Sequence, residues 1–398
     1  MGRALRAGAA AVLGVALITG CGAGSSAGPG DPKAAASPDR MSRAAIAITP
    51  GDAAKDVPAA GPVAVVVRQG TLTQVVAKAA DGTPVPGVMS ADRRGWRPSG
   101  WLAPATRYTV DAYAVDAQGR PAAKHAAFTT LVPRHDLIGF YTPEDGTTVG
   151  TGMIVSLRFN QPIADRAAVE RAVTVTAQPA TPVVGHWFGS QRLDLRPQAY
   201  WWPGSVVTLT LRLRDIEGAP GVYGIQDKSV RFYIGRDQRS TVDAAAHTMT
   251  VRRDGTVLRT LPVSASTPAH MTYDGVIMIA EKLALTRMNG QTVGFGGEYD
   301  IPDVPHAMRL TDSGTFVHGN YWAAPDIFGR TNTSHGCIGL EDAKGGGADT
   351  PAGWFFGHSL VGDPIRVVNS HDRTVAADNG MSGWNLTWQQ WTAGSALR

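Results

Sequence analysis

Hydrophobic and polar residues alternate with a period of two along most of the stretch from about Ile46 to Leu261, and turn residues recur at short intervals. In the clearest example, residues 207–214 place valine or leucine at every second position, with threonine or arginine between them. Such a strand buries one face and exposes the other to solvent. The pattern predicts antiparallel β-sheet, and therefore a mainly β fold, over this part of the chain.

An internal repeat divides this region into two modules. An arginine–proline pair, an aromatic residue, a proline, a threonine, an aspartate and a glycine over residues 97–119 recur in the same order 99 residues later, over residues 196–218. A period of about 100 residues built from strands is typical of tandem immunoglobulin-like β-sandwiches. We therefore predict one module over residues 45–132 and a second over residues 133–236, with a spacer role favoured over a ligand-binding surface.

A third β-rich domain is predicted over residues 237–370. Past Gly235 two short strand patterns flank Asp254-Gly255, a dipeptide that favours tight hairpin turns. The remaining residues, 371–398, contain three tryptophans spaced i, i+4 and i+7, which indicates one face of a short helix. We expect this C-terminal extension to pack on the third domain. The tryptophans are Trp384, Trp388 and Trp391.

The N-terminus has the pattern of a secretion signal. Cationic residues up to Arg6 precede an uncharged apolar stretch from Ala7 to Gly20, which is shorter than the ~20 residues of a membrane-spanning helix. The string Leu17-Ile-Thr-Gly-Cys21 resembles a bacterial lipobox, in which the cysteine becomes a lipidated N-terminus. An ordinary signal peptide with an accidental cysteine is the alternative. We predict a lipoprotein signal peptide over residues 1–20, followed over residues 21–44 by lipidated Cys21 and a flexible linker.

Charge and cysteine content exclude several classes of protein. The chain has 37 lysines and arginines against 33 aspartates and glutamates, and it lacks a run of basic residues, so we expect no nucleic-acid partner. Its two cysteines, Cys21 and Cys337, are too few for a disulfide scaffold or a multi-cysteine metal site. We expect no metal and no cofactor.

The segment Ser334-His-Gly-Cys337 concentrates the candidate chemistry. A cysteine thiol has an ordinary pKa of about 8.5, so a nucleophilic cysteine needs an imidazole or backbone dipoles that favour the thiolate. His318 and His335 are the candidate imidazoles for Cys337. A zinc site built from these three residues is the alternative chemistry, disfavoured because the His-Gly-Cys spacing strains joint chelation and no HExxH motif is present.

Backbone groups near the same residues are candidates for supporting roles. One ring nitrogen of His318 needs an orienting acceptor, and the carbonyl of Gly319 can serve. Glycine permits close approach of the backbone to a substrate carbonyl. The N–H groups of Gly336 and Cys337 are therefore candidate donors to a tetrahedral oxyanion.

The order of these residues resembles the catalytic motif of bacterial L,D-transpeptidases of the YkuD-like family. His318 is followed by fifteen residues and then by Ser334-His-Gly-Cys-Ile338, with Gly339 where the family usually has asparagine. The resemblance extends from about Ile46 to the C-terminus and is to multidomain actinobacterial members, which carry two immunoglobulin-like modules before the catalytic domain. It implies two tandem immunoglobulin-like β-sandwiches, a β-rich catalytic domain over residues 237–370 and a short C-terminal helical extension.

The resemblance also implies a two-step acyl transfer on peptidoglycan stem peptides. Cys337 would attack a donor tetrapeptide, release D-alanine and form a thioester, which an acceptor amine would resolve into a 3→3 cross-link. His318 would donate and accept the proton, with His335 as an auxiliary group and Ser334 shaping the site. Candidates for the substrate groove, with packing as the alternative for the adjacent tyrosine–tryptophan pair, are Tyr299, Tyr321, Trp322 and Asn332.

Carbapenem-type β-lactams are the implied inhibitors. The implied location is the outer face of the cytoplasmic membrane, with the protein anchored through Cys21 and facing the cell wall. Two other functions remain open. Hydrolysis of the same acyl-enzyme would make the protein an L,D-carboxypeptidase or endopeptidase. A lipid-anchored, non-catalytic cell-wall-binding protein is the second alternative, disfavoured because the nucleophile and the base are both present.

Overall fold

The computed structural model describes residues 41–59, 61–267, 270, 272–293 and 296–397. The predicted signal peptide and Cys21 lie outside the described residues. Within the described ranges, no helix is long and apolar enough to cross a membrane. Strands dominate these residues, which confirms the mainly β fold class.

The first unit is a β-sandwich of two four-stranded sheets. Its strands are β1 (Ala45–Thr49), β2 (Ala54–Val57), β3 (Ala64–Arg68), β4 (Thr71–Ala79), β5 (Gly87–Met89), β6 (Gly95–Pro98), β7 (Arg107–Val115) and β8 (Pro121–Thr130). The sheet orders are β1-β3-β6-β5 and β2-β8-β7-β4. Every second side chain of β7 is buried, as the period of two predicts. The core between the sheets includes Val65, Leu72 and Phe128.

The second unit is another β-sandwich. Its elements are β9 (His135–Leu137), β10 (Gly139–Thr142), β11 (Thr148–Val149), β12 (Val155–Phe159), α1 (Arg166–Arg171), β13 (Val173–Gln178), β14 (Val183–Phe188), β15 (Arg192–Pro197), β16 (Val206–Arg212), β17 (Glu217–Ala219), β18 (Val222–Gly224) and β19 (Asp227–Ile234). Two sheets, β10-β12-β15-β14 and β11-β19-β16-β13, enclose the core, and β17-β18-β9 forms a small third sheet. In β16, Val207, Leu209 and Leu211 are buried, so the predicted alternation is confirmed.

The third unit is built on one nine-stranded sheet. Its elements are β20 (Gln238–Asp243), β21 (Thr248–Arg253), β22 (Thr256–Ser264), β23 (Gly275–Met278), β24 (Glu281–Asn289), β25 (Asp300–Arg309), β26 (Phe316–Asn320), β27 (Ile338–Glu341), α2 (Pro351–His358) and β28 (Pro364–Val368). The strand order is β23-β28-β20-β21-β22-β27-β26-β25-β24. Asp254 and Gly255 between β21 and β22 have φ of 50° and 81°. The type I′ turn requires such positive values, so the predicted hairpin is confirmed.

The C-terminal extension packs mainly on the second sandwich, so its predicted packing on the third domain is wrong for most of its contacts. Trp391, in α3 (Trp388–Ala393), is fully buried, and its Nε1 donates to the carbonyl of Val184 at 2.9 Å. A tryptophan prefers an apolar site that also offers an acceptor for its N–H, and the edge strand β14 provides both. Asn385 links the extension to the third unit through two hydrogen bonds with the backbone of Val276.

The three tryptophans surround one arginine instead of sharing one helix face. Trp384 precedes α3, and only Trp388 and Trp391 belong to it. The Cζ atom of buried Arg196 lies 4.3 Å from the ring centroids of Trp384 and Trp391 and 5.5 Å from that of Trp388. Burial lowers the pKa of Arg196 to about 10. Cation–π contacts strengthen when the charge is desolvated, so this cluster fastens the extension to β15.

We expect Trp391→Ala to destabilise the protein by about 3–5 kcal/mol, because it empties a fully buried site and removes the hydrogen bond to Val184. Trp202→Ala is the matched control, since that side chain is 65% exposed and its loss is expected to cost no more than about 0.5 kcal/mol. Urea unfolding followed by far-ultraviolet circular dichroism measures both. Equal effects of the two substitutions would contradict the docking of the extension.

Candidate active site

Parallel pairing of β26 and β27 positions the central residues of the site. Val317 pairs with Ile338, and His318 pairs with Gly339. Cys337 directly precedes β27 and therefore lies one step earlier in the same register, beside Phe316. All residues of β26 are buried, which holds the backbone around His318 in one place.

A pocket of about 290 Å³ opens over these strands. Six of the residues predicted from the sequence line it, namely Tyr299, His318, Trp322, Ser334, His335 and Cys337. The other lining residues are Met288, Ile301, Asn320, Ala323 and Thr333. The pocket thus combines an apolar wall with one thiol and two imidazoles.

His318 is a buried, neutral imidazole in a fixed orientation. Its Nδ1 lies 2.9 Å from the carbonyl oxygen of Gly319, the acceptor named from the sequence. A carbonyl can only accept, so Nδ1 carries the hydrogen and Nε2 is the basic nitrogen. Burial lowers the pKa of His318, although the Gly319 hydrogen bond opposes this effect. The ring stacks on Trp322 with 5.6 Å between centroids and 12° between planes.

Cys337 is a buried thiol. Burial raises its pKa to about 11, and a hydrogen bond from the backbone of Phe316 offsets only part of this effect. Its Sγ lies 3.7 Å from the carbonyl oxygen of Gly314. At neutral pH Cys337 is therefore a protonated thiol and His318 a neutral imidazole, so neither group carries a charge at rest.

The turn that carries Cys337 is held by hydroxyl groups. Ser334 Oγ donates to the carbonyl of Cys337 and lies 3.0 Å from Ser266 Oγ. Ser266 Oγ also accepts the N–H of Gly336 at 2.7 Å. The Gly336 N–H is thus bonded to Ser266 in this structure. The role of the Gly336 and Cys337 N–H groups as oxyanion donors stays a prediction.

His335 lines the pocket beside Glu298 and His270. Its Nε2 lies 3.2 Å from Glu298 Oε2, and its ring lies 5.0 Å from that of His270. Among the described residues, the histidine, cysteine and acidic groups whose ligand atoms approach within 4.8 Å of one another are His270, Glu298 and His335. The alternative of a zinc site built from His318, His335 and Cys337 is therefore contradicted by the geometry.

Two predicted groove residues lie away from this pocket. The hydroxyl of Tyr321 donates to Asp303 Oδ1 at 2.5 Å. The amide of Asn332 bonds the backbone of Ala244 and Ala265, so it joins neighbouring loops of the sheet. Both side chains make hydrogen bonds within the protein and do not line this pocket, so their place in a substrate groove stays a prediction.

Comparison with known proteins identifies the family. Two family profiles match the chain, a bacterial Ig domain over residues 54–217 and an L,D-transpeptidase catalytic domain over residues 237–367. L,D-transpeptidase 2 of Mycobacterium tuberculosis is 31% identical over 350 residues, which cover 87% of this chain and 83% of that protein. The chain belongs to the L,D-transpeptidase family.

Further relatives have the same family name. L,D-transpeptidase 5 of Mycobacterium tuberculosis is 30% identical over 357 residues, covering 87% of this chain and 76% of that protein. A solved structure of the L,D-transpeptidase LdtMt1 in complex with imipenem is 30% identical and covers 60% of this chain and 100% of that chain, with a TM-score of 0.49. The catalytic-domain profile and the two Mycobacterium tuberculosis relatives confirm the resemblance drawn from the motif around Cys337.

Glycine at position 339 distinguishes this L,D-transpeptidase from the usual motif. A Cβ atom on Gly339 would lie 3.4 Å from the carbonyl oxygen of Ser264 and 3.5 Å from Asn320 Nδ2, which are ordinary contacts. A longer side chain would extend into the space that Asn320 occupies. The amide of Asn320 thus lies beside the position where the usual asparagine is missing.

Asp342 is a residue of the L,D-transpeptidase site that the sequence reasoning missed. Its side chain is fully buried, lies 2.7 Å from His306 Nδ1 and accepts hydrogen bonds from Gly347 N–H and Thr350 Oγ. Its negative charge raises the pKa of His318 and so opposes the effect of burial. The only feature of the sequence that points to Asp342 is its position directly after the β27 pattern.

No feature of the sequence points to Ser266, because it lies 70 residues from its hydrogen-bond partner Gly336.

We expect Gly319→Ala to slow acylation of Cys337 by at least about tenfold and to destabilise the protein by about 1–3 kcal/mol, because overpacking strains a filled core. The new Cβ atom would lie 2.0 Å from Asp342 Oδ2, and that carboxylate is fixed by its own hydrogen bonds. Gly339→Ala, at the paired position on β27, is the matched control and should retain stability and acylation. Intact-protein mass spectrometry and thermal melting give the two readouts. A Gly319→Ala variant as active and as stable as Gly339→Ala would contradict this packing.

Proposed function

We propose that this L,D-transpeptidase joins peptidoglycan stem peptides through a thioester on Cys337, forming 3→3 cross-links. The proposal depends on one observation, the presence in a single pocket of a buried thiol and an imidazole whose Nδ1 is fixed on a backbone carbonyl. Membership of the family supports peptidoglycan as the substrate class. The remaining steps follow from the positions of Cys337 and His318.

The first step forms the acyl-enzyme. The Cys337 thiol gives its proton to Nε2 of His318 as the sulfur attacks the carbonyl carbon of the third residue of a donor tetrapeptide. The carbonyl oxygen becomes an oxyanion, which the N–H of Cys337 stabilises. His318 then protonates the departing nitrogen, the C–N bond breaks and D-alanine leaves. A thioester between the stem and Cys337 remains.

The second step transfers the stem to an acceptor amine. The amine attacks the thioester carbonyl and gives a proton to His318, and the C–S bond breaks as the new amide forms. The proton on His318 returns to the Cys337 thiolate, which restores the resting enzyme. The buried charge of Asp342 favours the imidazolium that forms in both steps.

The apolar wall of the pocket supports transfer to an amine over transfer to water. Met288, Ile301 and Trp322 border the thiol and limit the access of bulk water to the thioester. We also propose carbapenem-type β-lactams as inhibitors, because their strained carbonyl is an acyl donor of the kind that Cys337 attacks. Lipid anchoring through Cys21 and a location on the outer face of the cytoplasmic membrane stay predictions.

A stem tetrapeptide should acylate wild-type protein with release of D-alanine, because thiol and base share the pocket. The measurement is intact-protein mass spectrometry of residues 41–398 together with amino-acid analysis, and Cys337→Ala is the control that should show neither product. An added amine acceptor should convert the thioester into a cross-linked dimer faster than water hydrolyses it. Tripeptide as the dominant product would favour a carboxypeptidase, and the absence of both adduct and D-alanine would contradict enzymatic function.

Because the Cys337 thiol is protonated at rest, we expect it to be alkylated slowly at neutral pH. Iodoacetamide reacts with the thiolate, and the raised pKa of about 11 means that the alkylation rate should rise about tenfold per pH unit between pH 7 and about pH 10. Acylation by imipenem uses His318 as base, so it should rise only as pH passes the lowered pKa of His318, below 6.5, and then stay level to neutral pH.

Mass spectrometry after timed quenching follows both reactions on Cys337. His318→Gln provides the control, since it should abolish the imipenem reaction and leave the steep pH dependence of alkylation in place. Rapid alkylation already at pH 7 would reveal a resting thiolate–imidazolium pair and would contradict the neutral state.

A further inference from the structure

Three side chains from separate segments meet at the rim of the active-site pocket. His270 lies in the loop after β22, Glu298 in the loop between β24 and β25, and His335 in the turn before Cys337. Glu298 Oε2 lies 3.4 Å from His270 Nε2 and 3.2 Å from His335 Nε2. The three ligand atoms all lie within 4.8 Å of one another. One carboxylate oxygen therefore faces two imidazole nitrogens.

These distances match the spacing of ligands around one metal ion. Zinc binds histidine nitrogen and carboxylate oxygen at about 2.0–2.2 Å, so two ligands at a tetrahedral angle lie about 3.3–3.5 Å apart. The two measured edges of the cluster are 3.4 Å and 3.2 Å. Imidazole and carboxylate ligands suit zinc and similar divalent transition ions. Two histidines and one acidic residue leave a fourth position for water.

The cluster is also accessible to an ion from solution. The side chains of His270, His335 and Glu298 are 28%, 37% and 47% exposed. The rings of His270 and His335 stack with 26° between their planes, and both Nε2 atoms face Glu298 Oε2. An ion could therefore replace the contacts of Glu298 with His270 and His335 with little movement of the three side chains.

We propose that His270, Glu298 and His335 form a binding site for a divalent transition ion of the zinc type, and that the bound ion slows acyl transfer at Cys337. The site is separate from the nucleophile, and binding at it goes beyond the proposed function. Slowing of acyl transfer depends on the proposed function.

The expected inhibition follows from the position of the ligands. His335 lines the pocket and is two residues from Cys337, and the ring of Tyr299, which follows Glu298, lines the pocket 5.4 Å from the His335 ring. An ion bound to Glu298 and His335 would hold these two lining residues together beside the thiol. A stem peptide would then have to enter a narrower opening, and His335 would no longer be available as an auxiliary group.

Cys337 is a poor competitor for the ion because it is 9% exposed. His318 holds its Nδ1 on the carbonyl of Gly319 and is also buried. The exposed cluster therefore has the advantage in access.

Zinc binding tests the site directly. Tag-free wild type, His270→Ala, Glu298→Gln and Cys337→Ala proteins, dialysed against chelator, are titrated with zinc alone in competition with a chromophoric chelator. Wild type and Cys337→Ala should each bind one zinc ion. His270→Ala and Glu298→Gln should bind it at least about 100-fold more weakly, because loss of a direct ligand costs no less than loss of an outer partner. Absence of zinc binding in wild type, or binding that survives His270→Ala and disappears in Cys337→Ala, would overturn the assignment.

The effect on acyl transfer is measured with the same proteins. Acylation by a stem tetrapeptide should be slowed by saturating zinc in wild type and restored by chelator, and His270→Ala should acylate at the wild-type rate with or without zinc. Equal wild-type rates with and without bound zinc would overturn inhibition and leave the binding site in place. Failure of acylation in chelator would instead contradict the proposed function, whereas the binding measurement would stand.

Discussion

Parallel pairing of β26 with β27 is the constraint on which the catalytic site depends. Because His318 pairs with Gly339, the residues just before β27 must lie beside the residues just before His318. Cys337 and His318 thus line one pocket although they lie 19 positions apart in the chain. Gly319 permits the buried Asp342 to lie against the catalytic strand, since any side chain there would overlap the carboxylate. One register therefore sets the positions of the proposed nucleophile and base, the carbonyl that orients His318 and the buried charge of Asp342.

Burial shifts the pKa values of Cys337 and His318 in opposite directions, and both shifts favour the uncharged form. It raises the pKa of the Cys337 thiol and lowers that of His318, so each group rests uncharged. A resting thiolate would be open to oxidation and to indiscriminate alkylation. A protonated thiol at rest limits those reactions. In the proposed mechanism, the proton moves to His318 as the sulfur attacks the substrate carbonyl.

The sequence was informative where the decisive interactions are local. Alternation over residues 207–214 reveals a strand because the period belongs to the backbone itself, and Asp254-Gly255 reveals a turn because few residues adopt positive φ. The Ser334-His-Gly-Cys337 segment can be recognised because its thiol, imidazole and hydroxyl groups are adjacent in the sequence. Ser266, which follows the end of β22 and lies 70 residues earlier in the chain, accepts the hydrogen bond from the Gly336 N–H. No local pattern in the sequence could predict that contact.

The same distinction applies to Asn332 and to the C-terminal extension. Asn332 lies close to the motif in sequence, but its amide bonds the backbone of Ala244 and Ala265 and does not line the pocket. The spacing of Trp384, Trp388 and Trp391 shows that these residues belong together, and it carries no information about the surface they meet. Arg196, which they surround, lies in a module that precedes the catalytic domain.

The position of Trp391 also determines the order in which the protein can be completed. The chain is synthesised from its N-terminus, so β14 and β15 exist before the catalytic domain does. Their core stays open until the residues beyond β28 are available to fill it. The second sandwich is thus begun before the catalytic domain and finished after it. A chain interrupted within the catalytic domain would leave an apolar surface uncovered, which would mark it for proteolysis before it could act.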